Sequence, residues 1–260
     1  MSDKRFTRCE IAKVLNDLYP DLQLQGGLLQ ALQAAFDGIG ANLTARAGWD
    51  GLVSARVRSG SKHSQVFALQ KVRGFTCDFW FHGVQLAMGG TSDLTAVARA
   101  IDTWMTADCT AAVLAATFPF IRAEPDADVY ERGEETEHHW QYFLAQSSLP
   151  VYPFIVAASR RAELRQLFPF TSLYSFRFSR CTGYPFSGDT PYVWPTAVRP
   201  TAPFAEGRFQ LYSCSHERLA IGAAEEVAEL AVRQLPPNCG PARAGTAVEL
   251  GLPIWSTHLE

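Results

Sequence analysis

The chain lacks several features that would assign it to a well-defined class. No stretch approaches the roughly 18 consecutive apolar residues of a membrane-spanning helix. The polar start MSDKRFTRCEIAKVL does not contain the apolar run of a signal peptide. Lysine and arginine form no dense cluster and the net charge is −3, which argues against nucleic acid as a partner. We therefore predict a cytoplasmic protein that binds neither a membrane nor nucleic acid.

Signatures of catalysis and of cofactor binding are also missing. The six cysteines include no C-x-x-C pair, which favours free thiols over a disulfide framework. The stretch GIGANL (38–43) begins like a dinucleotide-binding loop, but it lacks the third glycine and no predicted strand leads into it. No Walker loop, G-x-S-x-G elbow or H-E-x-x-H helix occurs. The sequence therefore predicts no cofactor, and it leaves open whether the protein is an enzyme.

What is present is a pattern of short alternating strands flanked by amphipathic helices. With 47% hydrophobic residues, the 260-residue chain can build a large core. The first half predicts helices at 28–40 and 91–105 and, between them, strands at 51–57, 64–72, 75–83 and 84–90. The second half predicts helices at 160–168 and 223–235 and strands at 172–180, 191–198, 207–215 and 217–222. The pattern predicts an α+β fold of two tandem helix–four-strand–helix modules with antiparallel sheets, related as a pseudo-repeat.

These modules define a simple domain organisation. We predict an N-terminal α+β module at 1–105, a helical connector with an acidic loop at 106–150, and a C-terminal α+β module at 151–235. The remaining tail, 236–260, is rich in glycine and proline and is expected to be irregular. Its large apolar residues, Ile254 and Trp255, would anchor it to the body of the protein or to a second subunit.

Two adjacent histidines follow glutamates in the stretch EETEHHW. Glu134 and His138, like Glu135 and His139, are four residues apart, so each pair is side by side on a helix and could share a proton or hold a metal. His138 and His139 would, however, point about 100° apart, so they cannot both face one ion on a straight helix. We favour the simpler interpretation, in which the acidic residues stabilise the helix N-terminus, and we predict no metal site.

The aromatic stretch SLYSFRFSR (172–180) has two distinct sides if it is a strand. Tyr174, Phe176 and Phe178 share one side and are predicted to be core. Arg177 lies on the other side, and Arg180 follows close to the end of the stretch. That second side is either an ordinary solvated sheet surface or the floor of a cleft.

A second aromatic strand, FTCDFWFHG (75–83), sorts in a similar way. Asp78, Trp80 and His82 share its polar side. If this side and that of Arg177 line one groove, the groove would combine arginines and aromatic rings, which suit carboxylates and peptide anchors. Its walls would be completed by residues of the later strands: Tyr192, Trp194, Arg208 and Tyr212.

Five motifs lie between about residues 19 and 235: YPDL…GGL (19–28), GGTSDLTAVARAIDTW (89–104), FPFIRAE (118–124), ERGEETEHHW (131–140) and LRQLFPFTSLYSFRFSR (164–180). In these motifs the chain resembles a family of bacterial proteins that recur in natural-product gene clusters of actinomycetes and myxobacteria. The chain is similar in kind to the peptide-binding proteins of the crocagin pathway. That resemblance implies a protein that holds a ribosomally made precursor peptide while a partner maturation enzyme acts, and it carries over no catalytic residue.

The leading hypothesis is thus a precursor-peptide-binding protein, expected to be a homodimer. The absence of catalytic motifs fits a binding scaffold, in which strand edges and an arginine–aromatic groove contact the peptide. The alternative is a small-molecule tailoring enzyme, such as a cyclase, dehydratase or hydrolase. Its acid–base groups would be His82 with Asp78, or His138 and His139 with their glutamates. A weaker hypothesis is an immunity or chaperone-like interaction protein.

Overall fold

The computed structural model describes residues 13, 15–196 and 208–255, and the chain divides into two compact units, Met1–Glu131 and Arg132–Glu260. Both units combine helices with antiparallel sheets, which confirms the predicted α+β class. The boundary falls inside the predicted connector 106–150, so this segment is divided between the two units. None of the helices in the described part of the chain is long and apolar enough to cross a membrane.

The N-terminal unit is built on a six-stranded antiparallel meander with helices on one face. Its strands are neighbours in chain order: β1 (Arg46–Ala47), β2 (Ser54–Ser59), β3 (Lys62–Ala68), β4 (Phe75–Phe81), β5 (Val84–Thr91) and β6 (Ile121–Ala123). Its helices include α1 (Pro20–Leu24), α2 (Leu28–Ile39), α3 (Leu94–Met105), α4 (Ala111–Thr117) and α5 (Ala127–Glu131). The short edge strands β1 and β6 extend the four predicted strands on either side.

Alternation along β4 separates the two faces of this sheet. Phe75, Cys77 and Phe79 are buried against the helices, and the ring of Phe79 lies 6.0 Å from that of Trp104 on α3. Because successive side chains of a strand point to opposite faces, the side chain of Asp78 lies on the face turned away from the helices. Asp78 and Trp80 of β4 therefore share the face turned away from the helices.

The C-terminal unit contains a five-stranded antiparallel sheet and a second, small sheet. Its helices are α6 (Glu135–Leu144), α7 (Tyr152–Ser159), α8 (Ala162–Arg165) and α9 (Ala224–Arg233). Its strands are β7 (Phe168–Ser172), β8 (Ser175–Ser179), β9 (Cys181–Gly183), β10 (Tyr192–Pro195), β11 (Arg208–Tyr212), β12 (Arg218–Ala223) and β13 (Arg243–Thr246). The larger sheet has the order β12-β11-β10-β8-β7, and β9 pairs in parallel with β13. The pseudo-repeat between the modules stays a prediction.

The aromatic stretch forms a hairpin where a single strand at 172–180 is predicted. β7 and β8 pair with each other, and Leu173 takes a left-handed backbone conformation with φ 55° in the turn between them. Phe176 and Phe178 are buried, as predicted, with their rings 5.8 and 6.2 Å from Trp140. The prediction that Tyr174 is core is wrong: it lies in the turn and is 54% exposed.

Candidate functional site

A cross-strand row of aromatic residues surrounds Arg177 on one face of the C-terminal sheet. The register places Arg177 on β8 opposite Phe170 on β7 and opposite Tyr192 on β10. Tyr192 in turn lies opposite Tyr212 on β11. Phe176, the strand neighbour of Arg177, is fully buried in the core beneath the helices, so Arg177 points away from that core. The row thus lies on the face of the sheet opposite the helices.

The guanidinium of Arg177 is held between two aromatic rings. Its central carbon lies 3.8 Å from the ring centroid of Tyr192 and 5.0 Å from that of Trp255. The Nε–H donates to the hydroxyl of Ser175 at 2.9 Å. Burial lowers the pKa of Arg177, since a desolvated guanidinium is costly to charge. Among the described residues no carboxylate forms an ion pair with it, so a cation is fixed in place without an anion.

Tyr192 is itself fixed on its other side. Its ring stacks on that of Tyr212, with centroids 5.2 Å apart and planes 8° from parallel. Its hydroxyl lies 2.9 Å from Nδ1 of His216, and the hydroxyl of Tyr212 donates to Oε1 of Gln210 at 2.9 Å. These contacts restrain the ring on which the guanidinium lies, so the orientation of Arg177 is set before any ligand arrives.

Trp255, from the C-terminal tail, forms the opposite wall. Its backbone N–H donates to the carbonyl of Phe186 at 2.9 Å, and the N–H of Gly188 donates to that of Pro253 at 2.9 Å. A Cβ on Gly188 would lie 2.6 Å from Cα of Trp255, so this close approach requires glycine. The Trp255 ring also lies 5.9 Å from Phe170. The predicted anchoring of the tail is therefore made within the C-terminal unit.

Arg180, also predicted to bind ligand, is engaged in a structural ion pair. Its Nη1 lies 2.7 Å from Oδ2 of Asp189, and the two side chains are only 24% and 15% exposed. Its backbone N–H donates to the hydroxyl of Ser187 at 2.9 Å. Arg180 thereby holds the loop at 187–189, which contains Gly188 and packs against Trp255. It positions the site, and its charge is already compensated.

Trp194 and Arg208 lie on the same face as Tyr192. Trp194 is two residues further along β10 and pairs in register with Gln210, while Arg208 begins β11 and is exposed. On the neighbouring edge strand β12, Ile221 is paired with Gln210 and is 45% exposed. We call Arg177, Tyr192 and Trp255 the arginine clamp. The face therefore continues from the arginine clamp toward a sheet edge with an accessible apolar side chain.

Asp78, Trp80 and His82 belong to the N-terminal unit. The Oδ1 of Asp78 accepts the backbone N–H of Gln65 at 2.9 Å, and burial raises the pKa of this carboxyl. The Trp80 ring stacks on that of His63, with centroids 5.4 Å apart. His82 lies beyond the end of β4 in the turn to β5, with φ 51°, so strand alternation does not apply to it. A groove shared with Arg177 stays a prediction.

The two histidines of the predicted acid–base alternative, His138 and His139, lie on α6. The rings of His138 and His139 are 6.2 Å apart at 67° to each other, and that of His139 lies 4.4 Å from Phe168. Glu134 is paired with Arg132 at 2.9 Å. Across residues 13, 15–196 and 208–255, no three histidine, cysteine or acidic side chains are placed to hold one metal ion.

Two residues that line the arginine clamp, Phe170 and Trp255, are not predicted from the sequence, because each strand is interpreted by itself. Phe170 is not predicted because the sequence does not indicate a hairpin turn within the aromatic run. Trp255 is predicted only as an anchor, and its position beside Arg177 depends on a backbone contact far along the chain. Together the clamp offers a desolvated cation with bidentate donors between flat apolar walls, which suits a carboxylate attached to an apolar group.

Residues 134–246 match the sequence model of a family of unknown function (DUF6193). The chain is similar to that family over less than half of its length, in the segment that contains Arg177 and Tyr192. No curated protein and no solved structure matches the chain.

Proposed function

We propose that the protein binds a peptide through a carboxylate at Arg177, and that it holds a ribosomally made precursor for a partner maturation enzyme in the cytoplasm. The observation that carries this proposal is the half-buried guanidinium between Tyr192 and Trp255, with no ion-pair partner among the described residues. An unpaired desolvated charge destabilises the folded protein, and a ligand anion removes that cost. The assignment to natural-product maturation draws on the resemblance described above.

A carboxylate is the anion that fits this clamp best. The planar guanidinium can donate two parallel hydrogen bonds to the two oxygens of a carboxylate. The rings of Tyr192 and Trp255 restrict its rotation, so little side-chain entropy is lost when the ligand binds. A peptide supplies such a group at its C-terminus or on an acidic side chain, together with neighbouring apolar groups.

The remainder of the face is suited to the body of a peptide. Trp194 lies two residues along β10 from Tyr192, and Ile221 lies two strands away on β12, which forms one edge of the sheet. An edge strand has backbone donors and acceptors on its free side, and an extended peptide can pair with them. Backbone pairing would give affinity, and the Arg177 clamp would select a peptide with a carboxylate at the right distance.

Calorimetric titration with a synthetic copy of a short precursor-like reading frame beside the gene tests this proposal. We expect a Kd of about 1 μM. Arg177→Gln should weaken binding by about 1.5–3 kcal/mol, or about 10- to 150-fold, because hydrogen bonds to a charged group contribute that much. Arg243→Gln removes an exposed arginine of β13 and is the matched control.

Two results would contradict peptide binding at Arg177. One is the absence of measurable heat with the wild-type protein at millimolar peptide, and the other is an equal loss of affinity in the Arg243→Gln control. Sedimentation velocity on the same samples tests the proposed homodimer. The alternative of a tailoring enzyme that uses Asp78 with His82, or the α6 histidines, stays a prediction.

A further inference from the structure

A cavity of about 370 Å³ lies near the β6 edge of the N-terminal sheet. Its walls come from residues 85–86 of β5, from the segment 124–127 and from Tyr130 of α5. Leu86 and Ala127 are buried, so the cavity has an apolar floor. Its volume is within the range of about 300–1,000 Å³ that is typical of small-molecule sites. The cavity is therefore large enough for a compact organic molecule.

A β-bulge shapes the wall of the cavity on the β5 side. The register between β4 and β5 shifts beside Trp80, so that Leu86 is an extra residue without a partner on β4. Leu86 and Ala87 are consecutive and yet both buried, which breaks the alternation of the strand. The carbonyl of Leu86 accepts the N–H of Glu124 at 2.8 Å. The bulge thereby brings Glu124 to the cavity.

The carboxylate of Glu124 is fixed in position. The backbone carbonyl of Glu124 accepts the N–H of Ala127 at 3.1 Å, and Nε2 of Gln85 donates to Oε1 of Glu124 at 3.3 Å. Glu124 is half-buried, and within the described ranges no lysine, arginine or histidine forms an ion pair with it. A partly desolvated carboxylate is thus held in place without a cation. A cationic ligand would offset the cost of that desolvation.

We propose that this cavity binds a small organic amine in its ammonium form. The ammonium donates to Oε2 of Glu124 and to the side-chain carbonyl of Gln85, because the amide nitrogen of Gln85 already donates to Oε1 of Glu124. The apolar side chains that line the cavity, Leu86, Pro125 and Ala127, pack against a compact hydrocarbon group of the ligand. This inference concerns the N-terminal unit and stands whether or not Arg177 binds a peptide.

An ammonium fits this cavity better than a metal ion or an anion does. Calcium takes about six to eight oxygen ligands, and magnesium requires near-ideal octahedral geometry. In the part of the chain that the structure describes, no three histidine, cysteine or acidic side chains are placed to hold one metal ion. The lining residues, all of them described, include no lysine, arginine or histidine. An anion would therefore find no counter-charge, whereas an ammonium pairs with Glu124.

The test is an NMR titration of the backbone amides with the butylammonium ion near pH 7, where an alkylamine is charged as lysine is. We expect a Kd of about 1 mM, which a ligand of about five non-hydrogen atoms can reach, with the largest shifts at 85–86 and 124–127. Butanol and butyrate lack the positive charge and should bind at least about tenfold more weakly. Glu124→Gln should weaken butylammonium binding about tenfold or more. Asp102→Asn, at an exposed position of α3, removes the same charge and should bind within about twofold of wild type.

Thermal unfolding separates a binding effect from a folding defect, since Glu124→Gln keeps the size of the side chain and should unfold within about 2 °C of wild type. The proposal is overturned if butanol or butyrate binds wild type as tightly as butylammonium, or if Glu124→Gln keeps wild-type affinity. Equal shifts of the same amides with Mg²⁺ or Ca²⁺ would identify an inorganic cation site and would also contradict it. N-acetyl-lysine methylamide presents the same ammonium on a protein side chain, so tighter binding of this probe would assign the cavity to a partner polypeptide and reject a small amine. Arg177→Gln should leave butylammonium binding unchanged, which keeps the two sites distinguishable.

Discussion

Replacing Arg180 by methionine should destabilise the C-terminal unit, although a similar change at Arg177 should not. Methionine keeps an unbranched apolar stem and removes the charge, so Asp189 loses its ion-pair partner. The carboxyl group of Asp189 is largely buried, and its Oδ1 has no hydrogen-bond partner in the described part of the chain. An unpaired carboxylate in this position has neither water nor a cation to stabilise it.

The size of the effect follows from the burial of the pair. Breaking a fully buried ion pair by removing one partner costs about 3–5 kcal/mol. Since Arg180 and Asp189 keep 24% and 15% exposure, we reduce this to about 2–3 kcal/mol for the Arg180→Met variant. A loss of this size lowers the unfolding temperature by about 4–12 °C for a protein of this length.

Thermal unfolding followed by circular dichroism measures the change. Arg180→Met/Asp189→Asn is the informative control, because it removes the unpaired charge and should recover most of the loss. Arg177→Met should remain within about 1 kcal/mol of wild type, since a lost cation–π contact of about that size is offset by relief of the desolvated charge. If Arg180→Met unfolds within 1 °C of wild type, or if the double variant is no more stable than the single one, Asp189 is solvated and the argument fails.

Two further predictions concern the core of the N-terminal unit. Tyr19→Phe should lower the free energy of unfolding by about 1–3 kcal/mol, because the buried N–H of Gly74 donates to the Tyr19 hydroxyl at 3.0 Å and would lose its acceptor. Urea unfolding measures this loss. An equal loss in the exposed Tyr142→Phe control would contradict the prediction. Burial raises the pKa of the Cys77 thiol from 9.0 to about 12, so between pH 9 and 12 the unfolded chain releases a proton that the folded protein keeps, and stability falls as pH rises. Wild type should therefore lose about 1.4 kcal/mol more than Cys77→Ala between pH 8 and 10, and equal pH dependence of the two would refute this.

Strand alternation was sufficient for β4, an inner strand of the N-terminal sheet. The stretch 75–83 alternates large apolar and polar residues, and the buried side of β4 is the one that this pattern predicts. The edge strands β1 and β6, with two and three residues, are too short to carry a periodic signal. Their existence depends on pairing with a neighbouring strand, which is a long-range interaction.

The hairpin at Leu173 shows where alternation misleads. Aromatic residues continue through the turn without a glycine or proline between β7 and β8, so nothing local marks the change of direction. Leu173 adopts φ 55°, which is strained for a residue with a branched side chain, and the surrounding sheet must impose it. One unrecognised turn was enough to place Tyr174 in the core by mistake.

For the candidate site, the sequence by itself determined residue types and the side of each strand. Arg177 alternates with Phe176 and Phe178, so its exposure to the face opposite the core was predictable from a period of two. Only the tertiary structure decided which strands are neighbours and in what register. That decision depends on contacts between residues far apart in the chain, and it brings Tyr192 and Trp255 to the two sides of the guanidinium while pairing Arg180 with Asp189. Two arginines that the sequence placed in one candidate groove thereby differ in the fold: Arg180 is paired with Asp189, and Arg177 has no carboxylate partner among the described residues.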